Sequence, residues 1–113
     1  SNRAESLLVP VHGAAARSGW RDAEATTGLV LGLCSEARGE LDQARETFSF
    51  VIDISDRCGL LAAGREAHAA LARVLRRSGR DSEADEHVTR AEEIVERMAA
   101  ALTDDSLRRQ LLS

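Results

Sequence analysis

Lysine and tyrosine are missing from this 113-residue chain, and proline, cysteine and aromatic residues are scarce. The single proline is Pro10, and the only aromatic residues are Trp20, Phe48 and Phe50. So few strand-favouring side chains, in a chain rich in alanine, argue against an all-β fold and favour helices that pack closely through small residues. No apolar run approaches the roughly 20 residues of a membrane-spanning helix, so no membrane association is predicted.

The basic residues give no sign of nucleic-acid binding. All fifteen are Arg, and they are interspersed with nineteen acidic residues, so the formal net charge is −4. We therefore predict no direct contact with DNA or RNA. No secretory signal is readable at the N-terminus, which predicts a cytoplasmic location. The start at Ser1 and Asn2 is interpreted as the remnant of an expression tag, and residues 3–113 are expected to form a single domain.

The chain also lacks the patterns of a catalytic or metal site. Cys34 and Cys58 have no histidine at ligand spacing, which predicts reduced, buried thiols and no zinc site. His12, His68 and His87 never occur at i and i+4, and we interpret them as helix-surface or groove residues, with catalysis as the less favoured alternative. No phosphate-binding loop or glycine-flanked nucleophile is present. The prediction is a protein that is not an enzyme and has no cofactor and no bound metal.

The sequence repeats with a period of 40 residues. Glycines recur at predicted helix ends, at Gly19 and Gly59 and at Gly39 and Gly79, while apolar residues recur at helical spacing between them. Further identities at this spacing are Ala4, Ala44 and Ala84; Val11 and Val51; Arg17, Arg57 and Arg97; Leu31 and Leu71; and Ile54 and Ile94. Each 40-residue unit is therefore predicted to contain two helices.

Six helices follow from this pattern. They are expected at Arg3–Ser18, Arg21–Arg38, Leu41–Cys58, Leu61–Ser78, Asp81–Leu102 and Asp104–Leu112. Residues 3–18 form a half repeat, residues 21–58 and 61–102 form two units, and residues 104–112 form a capping helix. Thr103 is the predicted N-cap of that last helix, and Pro10 predicts a kink or a late start in the first.

The apolar positions predict which faces are buried. Ala44, Phe48, Val51 and Ile54 lie on one face of the second helix of a unit, and the equivalent residues of the next unit are Ala84, Val88, Ala91 and Ile94. The predicted core includes Leu31, Leu71, Phe48, Val51, Val88 and Ile94. The fold class is all-α, a right-handed α-solenoid of antiparallel helix hairpins.

Two stretches of the chain resemble the tetratricopeptide repeat. These are Gly39–Ala44 followed by Phe48, and Gly79–Ala84 followed by Val88. The family's small residues at helix crossings are matched by Gly32, Ala72, Ala44 and Ala84. Its first-helix aromatic is replaced by Gly28 and His68, its tyrosine by Ser35 and Leu75, and its terminal proline by Asp56 and Glu96.

The C-terminal half adds a narrower resemblance, carried by Leu102–Arg108. It is similar to the C-terminal repeats of multidomain bacterial ATPase-coupled transcription activators and nucleotide-cyclase-like regulators. This resemblance implies a protein-interaction or self-association module of a bacterial signalling or transcription regulator. The alternative is a structural spacer that transmits conformational change between an ATPase core and an effector domain.

In tetratricopeptide repeats the first helices line a concave surface, so the resemblance predicts a binding groove there. The resemblance places Arg73, Arg76 and Arg77 there, and guanidinium groups bind carboxylates through paired hydrogen bonds, so a protein or acidic peptide segment is the expected guest. The other residues predicted to line this groove are Leu29, Leu33 and Glu36. In the alternative interpretation, Arg76 merely pairs with Glu36 or Glu40 across the junction between units.

A second predicted surface lies on the half repeat at residues 3–18. Its apolar stripe, which contains Leu7, Leu8, Val11 and Ala14, lacks a partner helix on one side. Exposed apolar stripes of this kind tend to pair with a second copy, and a two-fold dimer is the commonest arrangement. We therefore predict a possible homodimer through these residues.

Overall fold

The computed structural model describes residues 14–112, with side chains described from residue 19 onward. It contains four helices, α1 (Ala14–Ala37), α2 (Leu41–Cys58), α3 (Leu61–Arg77) and α4 (Asp81–Leu112). No strand occurs within residues 14–112, so the predicted all-helical class is confirmed for that range. The predicted first helix lies mostly outside the described residues, as do Pro10 and His12.

Three helix ends repeat every 20 residues with the same geometry. Gly39, Gly59 and Gly79 have φ of 77°, 68° and 79°, a left-handed conformation that glycine adopts without a steric penalty. The next residue donates its backbone N–H to a carbonyl five residues earlier: Glu40 to Ser35 at 2.9 Å, Leu60 to Ser55 at 3.0 Å and Arg80 to Leu75 at 2.8 Å. This bond satisfies a carbonyl that the helix end would otherwise leave unpaired, and it reverses the chain.

The predicted helix end at Gly19 is wrong. Helix α1 runs from Ala14 through Gly19 to Ala37 without interruption. A glycine inside a helix loses only about 1 kcal/mol relative to alanine, and the next turn is supported by Arg21, which binds Glu24 at 2.6 Å. Glycine therefore permits a helix end at this position but does not impose one.

The predicted break before Asp104 is also wrong, because α4 continues to Leu112. Thr103 is not an N-cap, since its hydroxyl donates a hydrogen bond of 3.0 Å to the carbonyl of Ala99 one turn earlier. No glycine or proline follows Gly79 in the sequence, so nothing in the backbone chemistry ends the helix there.

Each helix packs against the next one along the chain, and α1 also contacts α3. The α2 stripe of Ala44, Phe48, Val51 and Ile54 is buried as predicted. Gly32 of α1 lies against the ring of Phe48, so closely that a Cβ at this position would collide with the ring. The small residue predicted for this helix crossing is therefore required there.

The predicted core needs two corrections: Val88 is only partly buried at the edge of the core, and Leu31 is exposed. Leu71 is 3% exposed, but Leu31, its counterpart 40 residues earlier, is 57% exposed. The buried face of α1 instead contains Ala25, Gly28, Leu29, Gly32 and Ser35. Leu31 lies one residue off this stripe, which turns its side chain by about 100° around the helix axis.

Candidate protein-interaction surface

An apolar groove lies between α1 and α2 on the side away from α3. We call it the N-terminal face. It has a volume of about 540 Å³, and its apolar lining residues are Trp20, Ala23, Gly28, Leu31 and Phe50. Half of the Phe50 surface is exposed to solvent. Among the residues with described side chains, the charged ones that line it are Glu24 and Glu46.

The repeat shows why this face is open. Adding 40 to the α1 positions Thr27, Leu31 and Cys34 gives Ala67, Leu71 and Val74 of α3. The α3 residues are buried, because the α1–α2 pair packs over them. The α1 residues are exposed, because among residues 14–112 no helix pair precedes α1. Equivalent repeat positions are thus buried in the second helix pair and exposed to solvent in the first.

A second groove lies between α3 and α4, and we call it the C-terminal face. Its volume is about 490 Å³, and its apolar lining residues are Ala69, Ala72, Val88, Ala91 and Val95. Subtracting 40 from Val88, Ala91 and Val95 gives Phe48, Val51 and Ser55, which are buried in the core. The C-terminal face therefore corresponds to the surface of the first helix pair against which α3 packs.

The arginines predicted to bind an acidic guest have partners within the chain. The side chain of Arg73 donates two hydrogen bonds to the Glu36 carboxylate, from Nε at 3.0 Å and from Nη2 at 2.9 Å. This hydrogen-bonded contact with Glu36 raises the pKa of the Arg73 guanidinium. Arg77 donates a hydrogen bond of 3.2 Å to the backbone carbonyl of Glu36. Glu36 therefore links α1 to α3 through its contacts with Arg73 and Arg77.

The alternative interpretation paired Arg76 with Glu36 or Glu40, but Arg76 binds neither of them. Its Nη2 donates a hydrogen bond of 2.7 Å to Asp85 of α4. Arg73 makes the contact across the junction in its place. Of the two leucines predicted beside these arginines, Leu29 is buried in the core and Leu33 is 47% exposed.

The residues predicted for self-association are not placed. Leu7, Leu8 and Val11 lie outside the described residues, and Ala14 begins α1 with its side chain undescribed. The homodimer through this segment therefore stays a prediction.

His68 of α3 and His87 of α4 face each other, a pairing that their spacing in the sequence does not indicate. Their Nδ1 atoms are 2.9 Å apart, and the ring centroids are 5.1 Å apart. Burial lowers the pKa of each imidazole, and the neighbouring His87 lowers that of His68 further. A hydrogen bond between two Nδ1 atoms requires one donor and one acceptor, so full protonation of both rings would break it.

Other chemistry is limited in the described part of the chain. Among the residues with described side chains, no group of three or more His, Cys, Asp or Glu is arranged to hold a metal ion. Cys34 and Cys58 are free and exposed, so the prediction of buried thiols is wrong. None of the four helices has the length and apolar character needed to cross a membrane.

Residues 14–112 thus form two helix pairs that pack on each other, and each pair has an exposed apolar groove. No family model, no curated protein and no solved structure matches the chain.

Proposed function

We propose that this chain is a protein-interaction module and that the N-terminal face is its docking surface. The observation that carries the proposal is the contrast between Leu31 and Leu71, which hold the same repeat position but are 57% and 3% exposed. Leu31 joins Trp20 and Phe50 in one groove, and contiguous exposed apolar surface of this kind marks interaction sites.

The shape of the groove favours a helical partner. It runs between two helices, and in the other helix pair the equivalent α3 positions are covered by helices. An amphipathic helix binds such a groove with apolar side chains spaced three and four residues apart. The expected partner is thus a helical protein segment with an apolar stripe. The sequence predicted a protein guest at the arginines, and we propose instead that it binds the N-terminal face.

Membership of the tetratricopeptide-like solenoids and a role in a bacterial regulator remain proposals based on the sequence resemblance. The regular glycine turns and the short connections between helices support the solenoid. The spacer role stays the alternative, and the same experiment separates it from the interaction module.

Site-specific photo-crosslinking tests the proposal directly. A benzophenone amino acid replaces Phe50, which conserves an aromatic side chain, and the protein is irradiated in the cells that produce it. We expect a discrete product of higher mass. The matched control places the same probe at Leu33, which is similarly exposed on α1 but outside the groove.

Two results would contradict the proposal. Equal product yields from positions 50 and 33, or no product from position 50, would show that the groove binds no protein. A crosslink within one polypeptide, with no increase in mass, would instead support the spacer.

A further inference from the structure

The two open faces correspond to the two sides of a contact that the molecule already contains. Within the chain, α3 packs onto the first helix pair, where Gly64 lies against Ser55 and where Phe48 and Val51 are buried in the same core. Forty residues later, the C-terminal face presents Val88, Ala91 and Val95 at the same positions, and no third helix pair covers them within residues 14–112. Forty residues before Ala63, Ala67 and Leu71 of α3, the N-terminal face presents Ala23, Thr27 and Leu31.

From this correspondence we infer that a second copy of the chain docks head to tail, with its N-terminal face on the C-terminal face of the first. This inference rests on the proposed function and names the partner. In a two-fold dimer both copies use the same face. Here one copy uses its N-terminal face and the other its C-terminal face, so the contact can repeat from copy to copy.

The charges at the two faces are largely paired within the chain. Glu24 of the N-terminal face binds Arg21 at 2.6 Å. At the C-terminal face, Arg73 binds Glu36 and Arg76 binds Asp85. Charge therefore does not select the contact, and the apolar side chains at equivalent repeat positions carry it.

The helix lengths also agree with head-to-tail stacking. Helix α2 ends at Cys58, whereas α4 passes the equivalent position, Met98, and continues to Leu112. Helix α3 begins at Leu61, whereas α1 begins before the equivalent Arg21, at Ala14. At the internal junction α2 and α3 run antiparallel, with Ser55 against Gly64. In the stacked pair, the extra turns of α4 would run antiparallel beside the extra turns of α1.

Exposed leucines lie on that extension of α4. Leu102, Leu107 and Leu111 are all exposed, although they are large and apolar. A neighbouring α1 would cover part of this surface. At the centre of the contact between copies, Val95 of one copy stands where Ser55 stands within the chain, and Glu24 of the next copy stands where Gly64 does. These side chains are larger, so the two copies would lie further apart than the two helix pairs within one chain.

Sedimentation velocity over a concentration series tests the inference with the full chain. Leu31→Asp blocks the N-terminal face and Val95→Asp blocks the C-terminal face, and both side chains are about half exposed, so the fold should tolerate the changes. Circular dichroism verifies that each variant is helical. We expect the wild type to form dimers and larger species as concentration rises, and each variant alone to remain monomeric.

The decisive sample is an equimolar mixture of the two variants. One retains an intact C-terminal face and the other an intact N-terminal face, so the mixture should form dimers and nothing larger. A two-fold interface through either face cannot give this result, because the variant that leaves that face intact would dimerise on its own. Leu33→Asp, on another side of α1, is the matched control and should assemble like the wild type.

Several outcomes would overturn the inference. These are a monomeric wild type throughout the series, a mixture that stays monomeric, or assembly that Leu8→Asp and Val11→Asp abolish while Leu31→Asp and Val95→Asp do not. The last result would establish a dimer through the N-terminal segment. If the Phe50 crosslink joins the chain to a different protein, the proposed function survives and the identity of the partner is wrong.

Discussion

Glycine has two different roles in this chain, although its positions repeat with one period. At Gly59 the backbone takes a left-handed conformation and the chain reverses. At Gly19, 40 residues earlier, the backbone is helical and a Cβ would meet no other atom within 4 Å. The residue permits both conformations, and the surroundings select one of them.

The two glycines should therefore respond to alanine with opposite signs. Gly19→Ala is expected to raise the free energy of unfolding by up to about 1 kcal/mol, because alanine is the better helix former. Gly59→Ala should lower it, since φ of 68° is strained for any residue with a Cβ. Urea denaturation of both variants provides the comparison. Destabilisation by Gly19→Ala would indicate that the helix ends there after all.

The hydroxyl of Ser55 is a second informative group at this scale. It is buried near the end of α2 and has no hydrogen-bond partner among the described residues. Removing a buried polar group that is not paired relieves a penalty of about 1 to 3 kcal/mol. Ser55→Ala should therefore stabilise the protein, and Ser35→Ala offers a comparison at a buried serine of α1. A loss of stability in Ser55→Ala would show that the hydroxyl is satisfied in solution.

At the scale of helices, the sequence predicted two of the six proposed elements, Leu41–Cys58 and Leu61–Ser78, to within one residue at both ends, and the start of a third at Asp81. These positions are bounded by glycines that do end helices. The failures at Gly19 and Thr103 have a common reason. Both residues permit a helix end without imposing one, because glycine also fits inside a helix and a threonine hydroxyl can bond back to its own helix, as that of Thr103 does to Ala99.

The contact between α3 and α4 should depend on pH through His68 and His87. Burial lowers both pKa values below the ordinary 6.5. The unfolded chain therefore binds more protons than the folded one as pH falls below 6.5, so stability present above that pH is lost on acidification. The charged groups that also act on His68 include Asp56 of α2 and Arg90 and Glu93 of α4.

The measurement is the melting temperature between pH 7.5 and pH 5.5, above the range in which ordinary carboxylates titrate. We expect the melting temperature of the wild type to fall over this interval, and His87→Gln to make the dependence shallower. A flat wild-type profile, or an unchanged slope in His87→Gln, would contradict the assigned pKa directions.

At the scale of the whole molecule, the repeat explains which apolar residues are exposed. The sequence predicted one core for Leu31 and Leu71 because they hold one repeat position, and it could not show that within residues 14–112 no helix pair covers Leu31. The candidate site was missed for the same reason. Its residues have the composition of a core, and only the described stacking shows that they face solvent.

The arginines illustrate the opposite error. Arg73 and Arg76 appeared available for a guest because like charges cluster in the sequence, but their partners Glu36 and Asp85 come from α1 and α4. A sequence shows how many charges there are, whereas pairing depends on how helices are stacked. The proposed docking surface is therefore defined by the apolar residues of the two faces and not by the arginines.

The most direct test of this account compares Leu31→Ala with Leu71→Ala in urea denaturation at low micromolar concentration, where chains should not associate. We predict that Leu71→Ala lowers the free energy of unfolding by about 2 to 5 kcal/mol, as for a buried leucine. Leu31→Ala should change it by no more than about 0.5 kcal/mol, as for an exposed position. Equal losses in the two variants would contradict the account, because they would show that both leucines are buried and that the N-terminal face is not open.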